Sequence, residues 1–243
     1  MFENLIAFLE SLDIPKAAEQ VRFLFDPVNI PFAIWETLYA PLVATVLAYV
    51  IGLPLGVLLV TGEETGIRPL PKSFMTALNT VINLLRSIPF LILMVLVFPL
   101  SRLILGTTIG TMATIVPLTV AAAPYIARLV EASLREMDRG VVEAAQSMGC
   151  STWQIVTKVM LPECLPSLIN GATNATITIL SYGAMAGNIG GGGLGAISLQ
   201  RGYQRNQIIV LYVAVILLVL LVQIIQSVGT ALSVKADKRI SHK

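Results

Sequence analysis

The sequence predicts an all-α integral membrane protein, on three observations. Hydrophobic residues make up 56% of the 243-residue chain and charged residues only 12%, with a mean hydropathy of +0.82. Soluble domains carry about 25% charged residues. Several uncharged runs reach the ~20 residues needed to cross a hydrocarbon core of about 30 Å. One polar segment, Asp138 to Pro166, separates two apolar regions and carries its own helix start and stop signals.

Residues 1–30 come first. Phe2, Leu5, Ile6, Leu9 and Leu12 recur at helical spacing, which predicts an amphipathic extension on the membrane surface. The stretch has no basic start and carries Glu3, Glu10, Asp13 and Glu19, so it does not read as a secretory signal. A membrane domain over 31–235 follows, and 236–243 form a tail.

Thr37 to Val60 is the first predicted span. Gly52 and Gly56 stand at the Gly-x-x-x-Gly spacing that lets helices approach closely. The second region, Phe74 to Leu100, contains Arg86, and a charge at mid-bilayer costs roughly 2.5–3.5 kcal/mol. Thr76, Asn79, Thr80, Asn83 and Arg86 share one helix face. Two placements follow. Either 74–85 lie on the cytoplasmic surface and the span covers 87–105, or the whole piece crosses with its stripe toward a bundle interior. Arg86 is an interfacial anchor in the first reading and lines a polar passage in the second.

The third predicted span is Thr111 to Ala127. The fourth lies in Cys164 to Gln200, a run with no charge. Asn170, Asn174, Ser181 and Met185 fall on one face of its helical part, with Thr178 beside them. Polar residues in a span face protein or water rather than lipid, so these four, with Tyr182 and Arg86, are candidates for a passage wall. Hydrogen bonding between helices is the competing reading, and Met185 also reads as a core filler. Ile208 to Val234 is the fifth span.

Five spans put the termini on opposite sides. With the tail inside, that side holds Arg68, Lys72, Arg128, Arg135, Arg139, Lys158 and the basic tail residues Lys235, Lys238, Arg239 and Lys243. The outside holds Lys16, Arg22, Arg102, Arg201 and Arg205. The excess of Lys and Arg predicts a cytoplasmic tail and an outer N-terminus, which makes 138–166 cytoplasmic.

That polar segment reads as two short helices with a turn. Asp138 is the expected N-cap of the first and Gly149 its left-handed C-terminal residue. Ser151 opens the second, with Gln154 at capping-box spacing. Pro162 and Pro166 are expected to stop or kink it.

Several functions are excluded or disfavoured. No Gly-x-x-x-x-Gly-Lys-Ser/Thr phosphate loop occurs. The run Gly190 to Gly195 fits Gly-x-Gly-x-x-Gly, but no strand precedes it, so it reads as a turn or a backbone-lined mouth near the outer face. No catalytic constellation or metal cluster is visible, and the net charge of +2 does not argue for nucleic acid. Cys150 and Cys164 read as reduced thiols. An ion-driven transporter would want carboxylates within spans, whereas Glu36 and Glu131 stand at span edges. A membrane scaffold would not need polar stripes.

Within the polar segment, Glu143-Ala144-Ala145, three residues, Gly149, then Leu161-Pro162 resembles the EAA loop of ABC-importer permeases. Val159 stands where that family usually has Ile. The blocks LLRSIPF (84–90), GTTIG (106–110), IVPLTVAAAPYIARLVE (115–131), KVMLPECLP (158–166) and YGAMAGNIGGGGLG (182–195) are similar to those of methionine ABC-importer permeases, in the same order over 35–235. The first 30 residues have no counterpart in that resemblance.

The resemblance implies a type I ABC-importer permease fold with five spans and a cytoplasmic coupling helix in a bacterial plasma membrane. It implies a homodimer, two ATPase subunits that bind ATP and magnesium, and a lipid-anchored binding protein outside. It implies methionine as solute, the L form and also the D form, with another amino acid or small solute as the alternative. By the same resemblance, Glu143, Ala144, Ala145, Gly149, Leu161 and Pro162 couple to the ATPase. The chain itself is not expected to be an enzyme.

Overall fold

The computed structural model describes residues 3, 6 and 16–237, and every regular element among them is a helix. The expected apolar positions Phe2, Leu5, Leu9 and Leu12 lie outside the described residues. α1 covers Ala17–Leu24, α2 Asn29–Thr61, α3 Lys72–Ser87, α4 Phe90–Leu105, α5 Thr111–Arg135 and α6 Arg139–Ser147. α7 (Thr152–Ile155) runs on through a π-helical turn, Val156–Met160, and one further turn, Leu161–Glu163. α8 is Leu165–Ala186, α9 is Gly193–Ala196 with a π-helical continuation Ile197–Tyr203, and α10 is Ile208–Ala236.

Three helices, α2, α5 and α10, are long and apolar enough to cross a membrane. α3 and α4 add a fourth crossing if they are one broken span, and they meet at 110°. The break has a local cause. Pro89 disfavours the helical region for the residue before it, and Ile88 is extended (φ −80°, ψ 126°). The region is therefore two helices divided near residue 88, close to the boundary of the first placement (74–85, then 87–105) rather than one continuous helix, and its polar stripe ends with α3. α8 is 22 residues long, but its asparagines and hydroxyls make it less apolar than those three.

The chain forms two compact units, and α2, α4, α5, α8 and α10 each contribute to both. One unit gathers Thr45–Leu93, Thr119–Ile177 and Ile225–Lys243. Its helices meet at glycine. A Cβ on Gly52 would lie 2.8 Å from the Ala123 carbonyl oxygen, and one on Gly56 2.6 Å from that of Ala127. Both are closer than real Cβ contacts, so α2 and α5 touch backbone to backbone here, as the spacing of the two glycines predicts. Leu59, Met75, Ile82 and Ala127 form the adjoining core cluster, with Leu55, Leu70 and Leu78 packed on it. Ser233 donates to the Pro166 carbonyl at 2.9 Å and ties α10 to the start of α8.

The other unit gathers Met1–Ala44, Met94–Leu118 and Thr178–Ile224. Here α1 is more than a surface helix: Ala17, Gln20 and Val21 are buried. The Gln20 side-chain oxygen accepts from the backbone N–H of Ile209 (2.8 Å) and Val210 (3.4 Å). It thereby satisfies first-turn donors of α10 that the helix itself leaves unpaired. Gln207 donates to Glu19 at 2.8 Å, and Arg201 stacks 4.0 Å over the Phe23 ring.

Candidate functional site

The polar elbow folds as its punctuation predicts. The Asp138 carboxylate accepts from the Gly140 N–H at 2.8 Å and caps α6. At the other end Cys150 N–H donates to Ala145 O at 3.1 Å and Gly149 N–H to Gln146 O at 2.9 Å. That pair of bonds is a Schellman motif, and it requires the left-handed φ of +77° seen at Gly149. Ser151 and Gln154 close a capping box on α7, the Ser151 N–H donating to the Gln154 oxygen at 2.8 Å.

The helix that begins at Thr152 ends at Glu163, just before Pro166, with Cys164 outside it. α7 passes through a π turn to place Pro162 at the start of a new turn, and Pro166 sits second in α8. A proline costs least in a first turn, where its missing N–H has no helical partner anyway.

Of the residues assigned to the coupling loop, Glu143, Ala144, Gly149 and Pro162 are exposed and Leu161 is half-buried. Ala145 is only 2% exposed, so its methyl packs the elbow from within. Two large apolar side chains stand out beside them, Met148 at 76% exposure and Trp153 at 75%. Sequence reasoning missed both. Their signal was an apolar residue on the polar face of each short helix. Glu143 also lines a cavity of about 400 Å³ together with Glu63, Arg135, Arg139, Gln146 and Met160.

A charged network supports the elbow at the end of α5. Glu131, 9% exposed, accepts from Arg128 at 2.6 Å and from Arg135 at 2.8 Å. Arg135 also pairs with Glu63. The second Arg128 nitrogen donates to the side-chain oxygens of Asn79 (2.8 Å) and Asn83 (2.9 Å) on α3. Two members of the α3 stripe are thus bonded to α5. Arg86, one turn on, is exposed. The spacing of 128, 131 and 135 was legible as one helix face, but nothing local pointed to Glu63 or Asn79.

The remaining passage candidates lie along α8. Asn170, Asn174, Ser181 and Met185 are all exposed, and Tyr182 is half-buried. Asn170 and Asn174 belong to one compact unit, and Ser181, Tyr182 and Met185 to the other. Ser181 and Met185 line an open, mainly apolar pocket with Leu199, Leu218 and Val222.

The glycine run is not a loose turn. Glu36 accepts from the Thr111 hydroxyl at 2.5 Å and from the Gly193 N–H at 2.9 Å. Thr37 accepts from the Leu194 N–H at 2.8 Å. α2 starts at Asn29, so Glu36 lies two turns into that helix, one residue before the span expected from Thr37.

The model of the family described as "binding-protein-dependent transport system inner membrane component" matches residues 52–236. The chain belongs to this family. As an inner membrane component it has close relatives. It is 49% identical over 208 residues to the probable D-methionine transport system permease protein MetI of Vibrio cholerae, covering 85% of this chain and 92% of that protein. It is 45% identical over 208 residues to the protein of the same description in Haemophilus influenzae, covering 85% and 97%. Among solved structures it resembles a chain of the MetNI methionine ABC transporter in an inward-facing conformation. That match has a TM-score of 0.84 and 44% identity, and it covers 86% of this chain and 96% of the other. The fold is that of an ABC-importer permease.

Proposed function

We propose that this chain is the permease subunit of an ATP-driven methionine importer. Two copies enclose the solute route. Each crosses the membrane five times, by α2, the bent α3–α4 pair, α5, α8 and α10, with the N-terminus outside and the C-terminus in the cytoplasm. ATP and magnesium are bound by two separate ATPase subunits on the cytoplasmic side, and a lipid-anchored binding protein delivers methionine from outside. The elbow carries this reading: two short capped helices that present Glu143, Ala144, Met148 and Trp153 outward, in a chain whose relatives are named as methionine permeases.

The physics of the elbow suits it to transmit force. Caps at both ends stop it fraying. The Glu131 network ties the helix it follows to α3, so a push on α6 moves α5 and α3 together. When ATP draws the ATPase subunits together, their clefts carry both elbows. The helices flanking each elbow tilt as rigid bodies, closing the inner mouth and opening the outer one. Arg86, Asn170, Asn174, Ser181, Tyr182 and Met185 line the route.

The test is uptake of labelled L-methionine by the complex reconstituted in liposomes, with and without ATP, and with D-methionine as competitor. ATP-dependent uptake supports the reading. Uptake by this chain without the ATPase overturns it in favour of a stand-alone transporter. ATP-dependent uptake of a different amino acid, with methionine ignored, leaves the class and removes the solute.

A further inference from the structure

We propose that Glu36 is a positioning residue of the transport cycle: together with Thr111 it latches the glycine turn 190–195 shut, and solute enters only when that latch lets go. This rests on the permease reading above. Three segments meet at the carboxylate. One oxygen accepts from the Thr111 hydroxyl, at the start of α5, at 2.5 Å. The other accepts from the Gly193 N–H, at the start of α9, at 2.9 Å. Beside it the Thr37 hydroxyl donates to Ala33 O at 2.7 Å and accepts from Leu194 N–H at 2.8 Å, so two successive residues of α2 hold two successive amides of the turn. Gly110 N–H donates to Gly190 O at 2.8 Å and binds the far end.

The turn has glycine where the latch needs it. A Cβ on Gly192 would overlap both the Thr111 hydroxyl and the Glu36 carboxylate. Gly193 has φ +82°, a conformation that side-chain-bearing residues rarely adopt. The space left among Glu36, Thr111, Gly192 and Gly195 is about 10 Å³, too small for any amino acid.

The choice of a carboxylate is informative. A half-buried carboxylate on a helix this apolar carries a desolvation cost that a neutral side chain avoids. The nearby tie at Thr37 is made with a hydroxyl, so a static join needed no charge. A carboxylate offers two acceptor oxygens and no donor, and it can take donors from two segments at once. When the turn moves away, water replaces the Gly193 N–H at the same oxygen. The bonds are strong in the closed state and exchangeable on opening.

The test uses the whole complex in liposomes, with Glu36→Gln, Thr111→Val and Thr111→Ser. Glutamine keeps one acceptor oxygen, valine removes only the hydroxyl, and serine restores it. ATP hydrolysis without the binding protein and methionine moved per ATP are read for each. Loss of one charge-assisted bond from the closed state is expected to raise the unstimulated hydrolysis roughly tenfold in Glu36→Gln and Thr111→Val. Methionine moved per ATP falls with it, while Thr111→Ser behaves as wild type. Wild-type rates and coupling in both Glu36→Gln and Thr111→Val overturn the latch. So does a change that only follows the amount of assembled complex, or failure of both variants to assemble, since the site is then a folding element. If the wild-type complex itself moves no methionine, the permease reading falls and takes the latch with it. If the wild type does and the variants match it, the latch alone falls.

Discussion

The polar elbow and the Glu36 clamp are built in opposite ways. The bonds that cap the elbow's two helices close within a few residues: Asp138 to Gly140, Cys150 to Ala145, Ser151 to Gln154. The clamp joins residues 75 and 157 positions apart. The elbow's shape is therefore set by its own sequence and survives movement of the helices around it. The clamp exists only while three distant segments stand in one arrangement. A part that must carry a push gains from the first design, and a part that must open gains from the second.

The largest expected effect tests whether the elbow needs its long-range support. Glu131→Ala removes the carboxylate shared by Arg128 and Arg135, which keep Asn79, Asn83 and Glu63 as partners, and loss of such charge-assisted bonds costs about 1.5–3 kcal/mol. Thermal melting of the detergent-solubilised chain should show a clear loss. A near-native melting temperature would mean that the network adds nothing to the elbow's footing.

Gln20→Ala is the equivalent cut in the unit that holds the clamp. It strands the buried first-turn amides of α10, at about 1–3 kcal/mol. A smaller melting shift than that of Asp138→Ala would reverse the ranking of distant over local bonds. Gly149→Val places a β-branched residue at φ +77°, with an expected strain of about 1–3 kcal/mol. Here the sharper readout is function: co-purification of the ATPase and methionine uptake should both drop. If both hold at wild-type levels, the elbow is not the docking element.

Asp138→Ala removes an exposed cap and should cost about 0.5–2 kcal/mol. Trp153→Ala should change stability by no more than about 0.5 kcal/mol, because the side chain is exposed. It should nonetheless weaken ATPase co-purification. Unaltered co-purification would remove Trp153 from the contact surface.

The reading of the sequence succeeded wherever the cause was local. The caps at Asp138 and Ser151, the αL residue Gly149 and the close approach at Gly52 and Gly56 follow from residue type and spacing. It left two placements open over 74–100, and Pro89, which makes Ile88 extended, divides the helix there; it did not foresee the π turn that carries the chain into Pro162. Ala145 was grouped with the outward contacts, and helix rotation buries it. The glycine run was read as a mouth or a turn, while its partners Glu36 and Thr111 went unnoticed because neither is near it in the chain.

The amino-acid sequence by itself determined that this protein is a helical membrane chain with one rigid polar elbow, because hydropathy, capping and glycine chemistry act over a few residues. Only the tertiary structure decided which polar groups meet: Glu131 between two arginines, Gln20 over the start of α10, Glu36 on the glycine turn. A carboxylate in an apolar helix must find donors, and which donors it finds depends on how distant helices pack.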